Sequence, residues 1–259
     1  FFLSNKTRKV PDFAYFSDKN FLVIAHRGGL GLRPENTIRA FRYADSINVD
    51  VLEMDIHSSA DSHLVVIHDA TVDRTTNGNG KIEDLTFNQL QSLDAAYHWK
   101  DEFGNYSLRD SNVRIPLFEE VLTSFAHRRM LVEIKVNSPW VAQELCRTLE
   151  KFGMEKKTVV ASFHSDALSE FADVCQQTPI SATSTEVGFF TILHLLRLDF
   201  IYPQIPPAFQ VPEKLGPLHL VDSRFLQQIQ SRNAVVHIWT VNEMERMEKL
   251  IKLGVDGII

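Results

Sequence analysis

Little in this chain suits a membrane span, a nucleic-acid surface or a metal held by sulfur. No stretch reaches the ~18 consecutive apolar residues that a spanning helix needs, and no cleavable leader is visible. Basic residues are outnumbered, with 27 Lys and Arg against 33 Asp and Glu, so the net charge is -6 and the pI about 5.9. A general nucleic-acid binder carries a basic footprint, so that partner class is excluded, although a local basic pocket for one phosphate is not. Cysteine is scarce. The two present, Cys146 and Cys175, lie in helix-like, apolar surroundings without metal spacing and are expected to be structural thiols that leave the compartment open. No internal repeat or low-complexity tract occurs.

What is present is ordinary globular material: 44% apolar residues, 23% charged, and a mean hydropathy of -0.12. The length of 259 residues matches one α/β barrel, whose usual size is about 250. We expect one catalytic domain over 1–259. The chain starts at Phe1 instead of Met and stops inside an apolar run at 254–259, so trimming at both ends is expected. A leader or membrane anchor and the localisation stay open.

Short β-branched runs alternate with helix-period segments, the pattern of a parallel sheet with crossover helices. Strands are expected at about 21–26, 51–57, 64–68, 130–136, 157–162, 179–183, 235–240 and 255–259. Eight strands suit a closed barrel. Only a turn, Ala60-Asp61-Ser62, fits between the second and third, so these two are expected to pair as a hairpin. Residues 70–115, polar and rich in turn signals, read as an insertion after the third strand that folds over one barrel face.

Polar groups gather where strands end, which in such a barrel is the catalytic face. His26-Arg27 follows one apolar run, His68-Asp69 another, and Glu133-Ile134-Lys135 lies in a third. Glu53 and Asp55, two apart on a strand, project to the same face, and the flanking Val51, Leu52, Met54 and Ile56 are expected to pack outward. Two inward carboxylates repel unless a cation sits between them, and Glu133 adds a third oxygen donor. Three hard donors suit Mg²⁺ or Ca²⁺, whereas zinc has no compact His/Cys set here. Each pair alone has a duller explanation, a solvated strand face or a weak surface ion pair. Their joint occurrence, in order at strand ends, argues against it.

These motifs resemble the glycerophosphodiester phosphodiesterase family. They are His26-Arg27-Gly28, Pro34-Glu35-Asn36-Thr37, Glu53-x-Asp55, His68-Asp69, Glu133-x-Lys135, Trp239-Thr240-Val241-Asn242 and Gly254-x-Asp256-Gly257, and they span nearly the whole chain. The resemblance implies a TIM-type (β/α)8 barrel, irregular at strands 2–3, with a small insertion after strand 3. It implies that Glu53, Asp55 and Glu133 hold a divalent cation and that His26 and His68 serve as acid and base. Arg27 and Lys135 would contact phosphate. Glu35, Asn36 and Trp239 would support the site, Glu35 and Asn36 by positioning His26, with Asn36 also in reach of the metal. Ser59, Asp61 and Ser62 depart from the family's Thr and Asp-Gly after Glu-x-Asp. The closing Thr-Asp-Pro is missing because the sequence ends at Ile259.

The implied activity is metal-dependent cleavage of glycerophosphodiesters to glycerol 3-phosphate and an alcohol, with a cyclic phosphate as a potential intermediate. The alternative is lysophospholipase D activity on lysophospholipids at the same site. Residues 187–211, strongly apolar but broken by His194, Arg197 and Asp199, have two readings. One is a buried barrel helix and strand; the other is an apolar rim for an acyl chain or a peripheral membrane contact.

Overall fold

The computed structural model describes residues 8–18, 20–215 and 218–259. Its strands are β1 (Leu22–Ala25), β2 (Val51–Ser58), β3 (Leu64–Val66), β4 (Arg129–Ile134), β5 (Thr158–Ser162), β6 (Ala208–Pro212), β7 (Lys214–Leu215), β8 (Leu218–His219), β9 (Val235–Trp239) and β10 (Gly257–Ile258). Parallel pairing runs β5-β4-β2-β1-β10-β9-β6. Two parallel bridges, Val160 with Ile180 and Ser181 with Ala208, join β5 to β6 and close the ring. Seven parallel strands and the bridging segment at 180–181 thus form the expected barrel.

The identity of the staves differs from expectation at one place. β3 pairs antiparallel with β2, as the short turn requires, and so lies off the ring. The stave that completes the barrel is β6, at the end of the segment 187–211 and running one residue past it. Its Phe209 and Val211 are fully buried, whereas the expected strand at 179–183 is reduced to the two closing bridges.

Helices α1 (Ile38–Ser46), α2 (Phe87–Ser92), α3 (Phe118–Phe125), α4 (Pro139–Phe152), α5 (Ser165–Val174), α6 (Ser184–Leu195), α7 (Ser223–Gln230) and α8 (Met244–Leu253) complete the chain. All but α2 follow barrel staves; α2 belongs to the insertion. Strand alternation sets the layers. Leu52, Met54 and Ile56 of β2 face outward and pack with Phe41 of α1, Val121 of α3 and Leu145 of α4. Val51, expected outward, faces inward with Leu22, Ile24, Leu131 and Val159 because it shares the alternation of Glu53 and Asp55, and Tyr15 joins this inner layer. The insertion buries Val72, Ile82, Leu90 and Leu108 against Val65 and Ile67, giving it a small core of its own.

The cysteines are not free thiols. Cys146 on α4 and Cys175, just past α5, form a disulfide with the Cα atoms 5.6 Å apart. Sequence spacing hides this, because 29 residues separate them and only the side-by-side packing of the two helices makes bridging geometry possible. Closing a loop of that length restricts the unfolded chain and contributes about 3 to 4 kcal/mol.

One inner-layer residue has a pH consequence. His237 on β9 is 1% exposed, neither ring nitrogen has a hydrogen-bond partner, and burial, helped by Arg129, pushes its pKa down to about 4. Between pH 6.5 and 4 the unfolded chain binds the proton and the folded one does not. Stability is therefore full above about 6.5 and falls as pH drops toward 4. From pH 7 to 5 the loss from this residue should be about 2 kcal/mol. Urea denaturation at both pH values should show a correspondingly smaller loss for His237→Leu; an equal loss would disprove the burial argument.

Candidate active site

The turn after β1 is shaped by steric constraint. Arg27 adopts a left-handed conformation (φ 51°, ψ 35°), uncommon for a side-chain-bearing residue, and Gly28 follows at φ 76°. A Cβ on Gly28 would lie 2.8 Å from the Phe41 ring, so glycine is required there. The reversal returns the Arg27 N–H toward the barrel, where it donates to Glu53 Oε2. Asn36, also left-handed at φ 55°, donates through Nδ2 to Asp55 Oδ2 at 2.8 Å and accepts from the Asp55 backbone N–H at 3.3 Å. Asn36 therefore orients Asp55, and its side-chain hydrogen bonds go there and not to His26, which the sequence had it positioning.

Glu53, Asp55 and Glu133 converge: one carboxylate oxygen from each lies within 4.8 Å of the others. Glu53 and Asp55 are 4% and 1% exposed. Burial, then the charge of Asp55, pushes Glu53 well above the usual carboxylate range, against the opposing Arg27 N–H. Burial also raises Glu133, opposed by Lys135. Lys135 Nζ lies 2.7 Å from Glu133 Oε1 and 3.1 Å from Asp55 Oδ1. Burial pulls this ammonium down, but the two carboxylates outweigh it and hold it above its ordinary value. Three carboxylates face two cations here, Lys135 and Arg27. The excess of carboxylates over cations and the all-oxygen donor set fit a hard divalent cation and leave no argument for zinc.

Arg27 donates through Nη1 to Glu35 Oε1 at 2.9 Å. Its Nε is 3.5 Å from Asp55 Oδ2, an ion pair too poorly aligned for a hydrogen bond, so this buried donor is unsatisfied. His26 Nδ1 is likewise buried and unpartnered. Burial first, and Arg27 second, push His26 down to about 4, so its ring is neutral across the neutral range. Unpartnered buried donors and acceptors at one place mark a site that completes its hydrogen bonds with a ligand.

His68 follows β3, and its Nδ1 is 2.6 Å from Asp69 Oδ1. His57, on the same face of β2 as Glu53 and Asp55, donates from Nε2 to the His68 carbonyl at 3.0 Å and pins that backbone. Sequence reasoning assigned no role to His57, Asp69 or Arg74. The period of two that paired Glu53 with Asp55 reaches His57 as well. Nothing local points to Arg74, whose partners are 5 and 39 residues away.

His26, Arg27, Glu53, His68, Glu133, Lys135 and Trp239 all line one cavity of about 730 Å³ at the C-terminal end of the barrel. Asp55, Glu35 and Asn36 stand behind it, hydrogen-bonded or ion-paired to residues at its wall. The opposite wall is largely apolar, from Phe163, Val187, Ile192, Leu195 and Leu220, with Phe163 edge-on to Trp239 at 6.5 Å. One side of the cavity thus suits a metal-bound phosphate and the other an uncharged substituent.

A model of the Glycerophosphoryl diester phosphodiesterase family matches residues 26–259. A glycerophosphodiester phosphodiesterase from Caldanaerobacter subterraneus subsp. tengcongensis is 32% identical over 244 residues, 92% of this chain and 93% of the relative. A lysophospholipase D from Rattus norvegicus is 28% identical over 266 residues, 91% of this chain and 82% of the relative. The crystal structure of a glycerophosphoryl diester phosphodiesterase domain from Mycobacterium tuberculosis superposes with a TM-score of 0.83 over 93% of this chain and 95% of that one. At 17% identity, it attests the barrel fold alone.

Proposed function

We infer, from the fact that this chain belongs to the Glycerophosphoryl diester phosphodiesterase family and from its site, that it hydrolyses glycerophosphodiesters to glycerol 3-phosphate and an alcohol. We read residues 1–259 as one catalytic domain. The observation that carries the mechanism is the convergence of Glu53, Asp55 and Glu133, with Glu53 and Glu133 lining the same cavity as His26 and His68 and Asp55 directly behind it.

Glu53, Asp55 and Glu133 would hold Mg²⁺ or Ca²⁺, which when bound supplies Lewis-acid neutralisation of a nonbridging phosphate oxygen. Arg27 Nε and Lys135 Nζ add fixed positive charge beside the same phosphate. The glycerol 2-hydroxyl attacks phosphorus as the bond to the leaving alkoxide breaks. Neutral His26 suits removal of the hydroxyl proton, and His68 delivers a proton to the alkoxide. Water then opens the cyclic phosphate with the two roles reversed.

The apolar wall favours a second reading, lysophospholipid hydrolysis, since a 1-acyl lysolipid keeps the free 2-hydroxyl. α6 is apolar on nearly every side. Ile192 and Leu195 line the cavity and are also exposed, and Phe189, Leu196, Leu198, Phe200 and Ile201 extend the apolar surface outward. Beneath it the helix is anchored by His194 Nδ1 on Asp199 Oδ2 at 2.8 Å and by Arg232 on the Asp199 carbonyl at 2.8 Å. A firmly held apolar rim at a substrate cavity suits an acyl chain and peripheral contact with a lipid surface. Of the two readings of 187–211, the strand portion is a buried stave and the helix portion an open rim.

Choline release from glycerophosphocholine and from lysophosphatidylcholine, with EDTA and with Mg²⁺ or Ca²⁺ restored, tests both readings. We expect release that EDTA stops and metal restores. A higher kcat/KM for the lysolipid would select the second reading, and no release from either with metal present would overturn both.

A further inference from the structure

Arg74 lies in the turn that opens the insertion, and it bonds carboxylates on two different loops. Its Nη1 and Nη2 donate to Glu35 Oε2 and Oε1, both at 2.7 Å; its Nε and Nη2 donate to Asp69 Oδ2 and Oδ1 at 2.5 and 3.2 Å. Glu35 also accepts from Arg27, and Asp69 partners His68 Nδ1. An unbroken chain of charged contacts therefore runs Asp55, Arg27, Glu35, Arg74, Asp69, His68. It connects the metal carboxylates to a catalytic imidazole around the outside of the cavity.

The chemistry of the link calls for arginine. A planar guanidinium meets one carboxylate with two parallel N–H groups and a second with another edge, which a lysine ammonium cannot do. Burial pushes Glu35 up, yet the bonds from Arg74 and the charge of Arg27 hold it below the ordinary range. Burial also pushes Asp69 up, and Arg74 and His68 outweigh it, holding it at about 2. Asp69 is thus a carboxylate with a fixed orientation. A carboxylate on Nδ1–H selects the tautomer whose Nε2 is free for substrate.

We infer that Arg74 is a positioning residue: it ties the Arg27 loop to the His68 loop and holds Asp69 as the acceptor of His68 Nδ1–H. It does not line the cavity. Its kinetic part rests on the phosphodiesterase reading above, whereas its structural part does not.

The test is ring ¹⁵N NMR of histidine-labelled full-length protein together with kinetics on glycerophosphocholine. In the unsubstituted protein, neutral His68 should be the Nδ1–H tautomer. Arg74→Lys, which keeps the charge and guards against misfolding, should give a mixture of tautomers and lower kcat about 10- to 100-fold. KM should stay within about threefold, because the loss falls on the chemical step. Methylguanidinium should restore part of the kcat of Arg74→Ala, and Asp69→Asn combined with Arg74→Lys should cost less than the product of the two. An unchanged His68 tautomer in Arg74→Lys would overturn the inference, as would a kcat equal to that of the unsubstituted protein. If the unsubstituted protein hydrolyses nothing, the phosphodiesterase reading fails, and the tautomer measurement still decides the role of Arg74.

Discussion

Replacing both His26 and His68 by alanine should lower kcat by about 10⁴-fold or more while leaving the fold and the metal response intact. Each proton transfer contributes typically about 10²- to 10⁴-fold. The two act in one transition state, so the single variants should already lose most of the activity and the double less than their product. The structure explains why folding should survive. His26 Nδ1 has no hydrogen-bond partner, so its removal orphans nothing through that atom, and Asp69 keeps Arg74 when His68 is gone. Thermal melts with and without Mg²⁺ or Ca²⁺ would establish the folded, metal-competent state. A double variant that is folded yet keeps more than about 1% of kcat would sink the acid–base assignment.

The parts of this site legible in the sequence are those whose geometry is set by local repeat. Glu53 and Asp55 share a face because β2 alternates, and Leu52, Met54 and Ile56 turn outward for the same reason. His26 and His68 stand at strand ends because apolar runs stop there. What local repeat does not encode was missed. β6 lay within an apolar stretch whose helix and strand portions look alike by hydropathy, and the ring closes through two single bridges that carry no periodic signal. The disulfide depends on α4 and α5 packing side by side. Arg74 depends on the insertion folding back until a residue 39 positions from Glu35 lies 2.7 Å from it.

The second large effect concerns the metal carboxylates and separates stability from function. Glu53 is 4% exposed, and its burial has a cost: burial and the neighbouring Asp55 favour its neutral form. Glutamine is nearly isosteric with that neutral acid, so Glu53→Gln should fold and, without metal, melt at or above the temperature of the unsubstituted protein. It should nonetheless lose about 10²- to 10³-fold in kcat or more, because a donor to the Lewis acid is gone. The unsubstituted protein should gain about 2.7 kcal/mol from Mg²⁺ or Ca²⁺ at a hundred times its dissociation constant, and the variant should gain almost nothing. Binding a cation to a protonated carboxylate displaces the proton. Calorimetry in buffers of different ionisation enthalpy should therefore register proton release for the unsubstituted protein and less of it for the variant. Equal metal stabilisation of both proteins would show that Glu53 is not a ligand, and the convergence of three carboxylates on one point would then need a different cation, with Lys135, already 2.7 Å from Glu133 and 3.1 Å from Asp55, the one at hand.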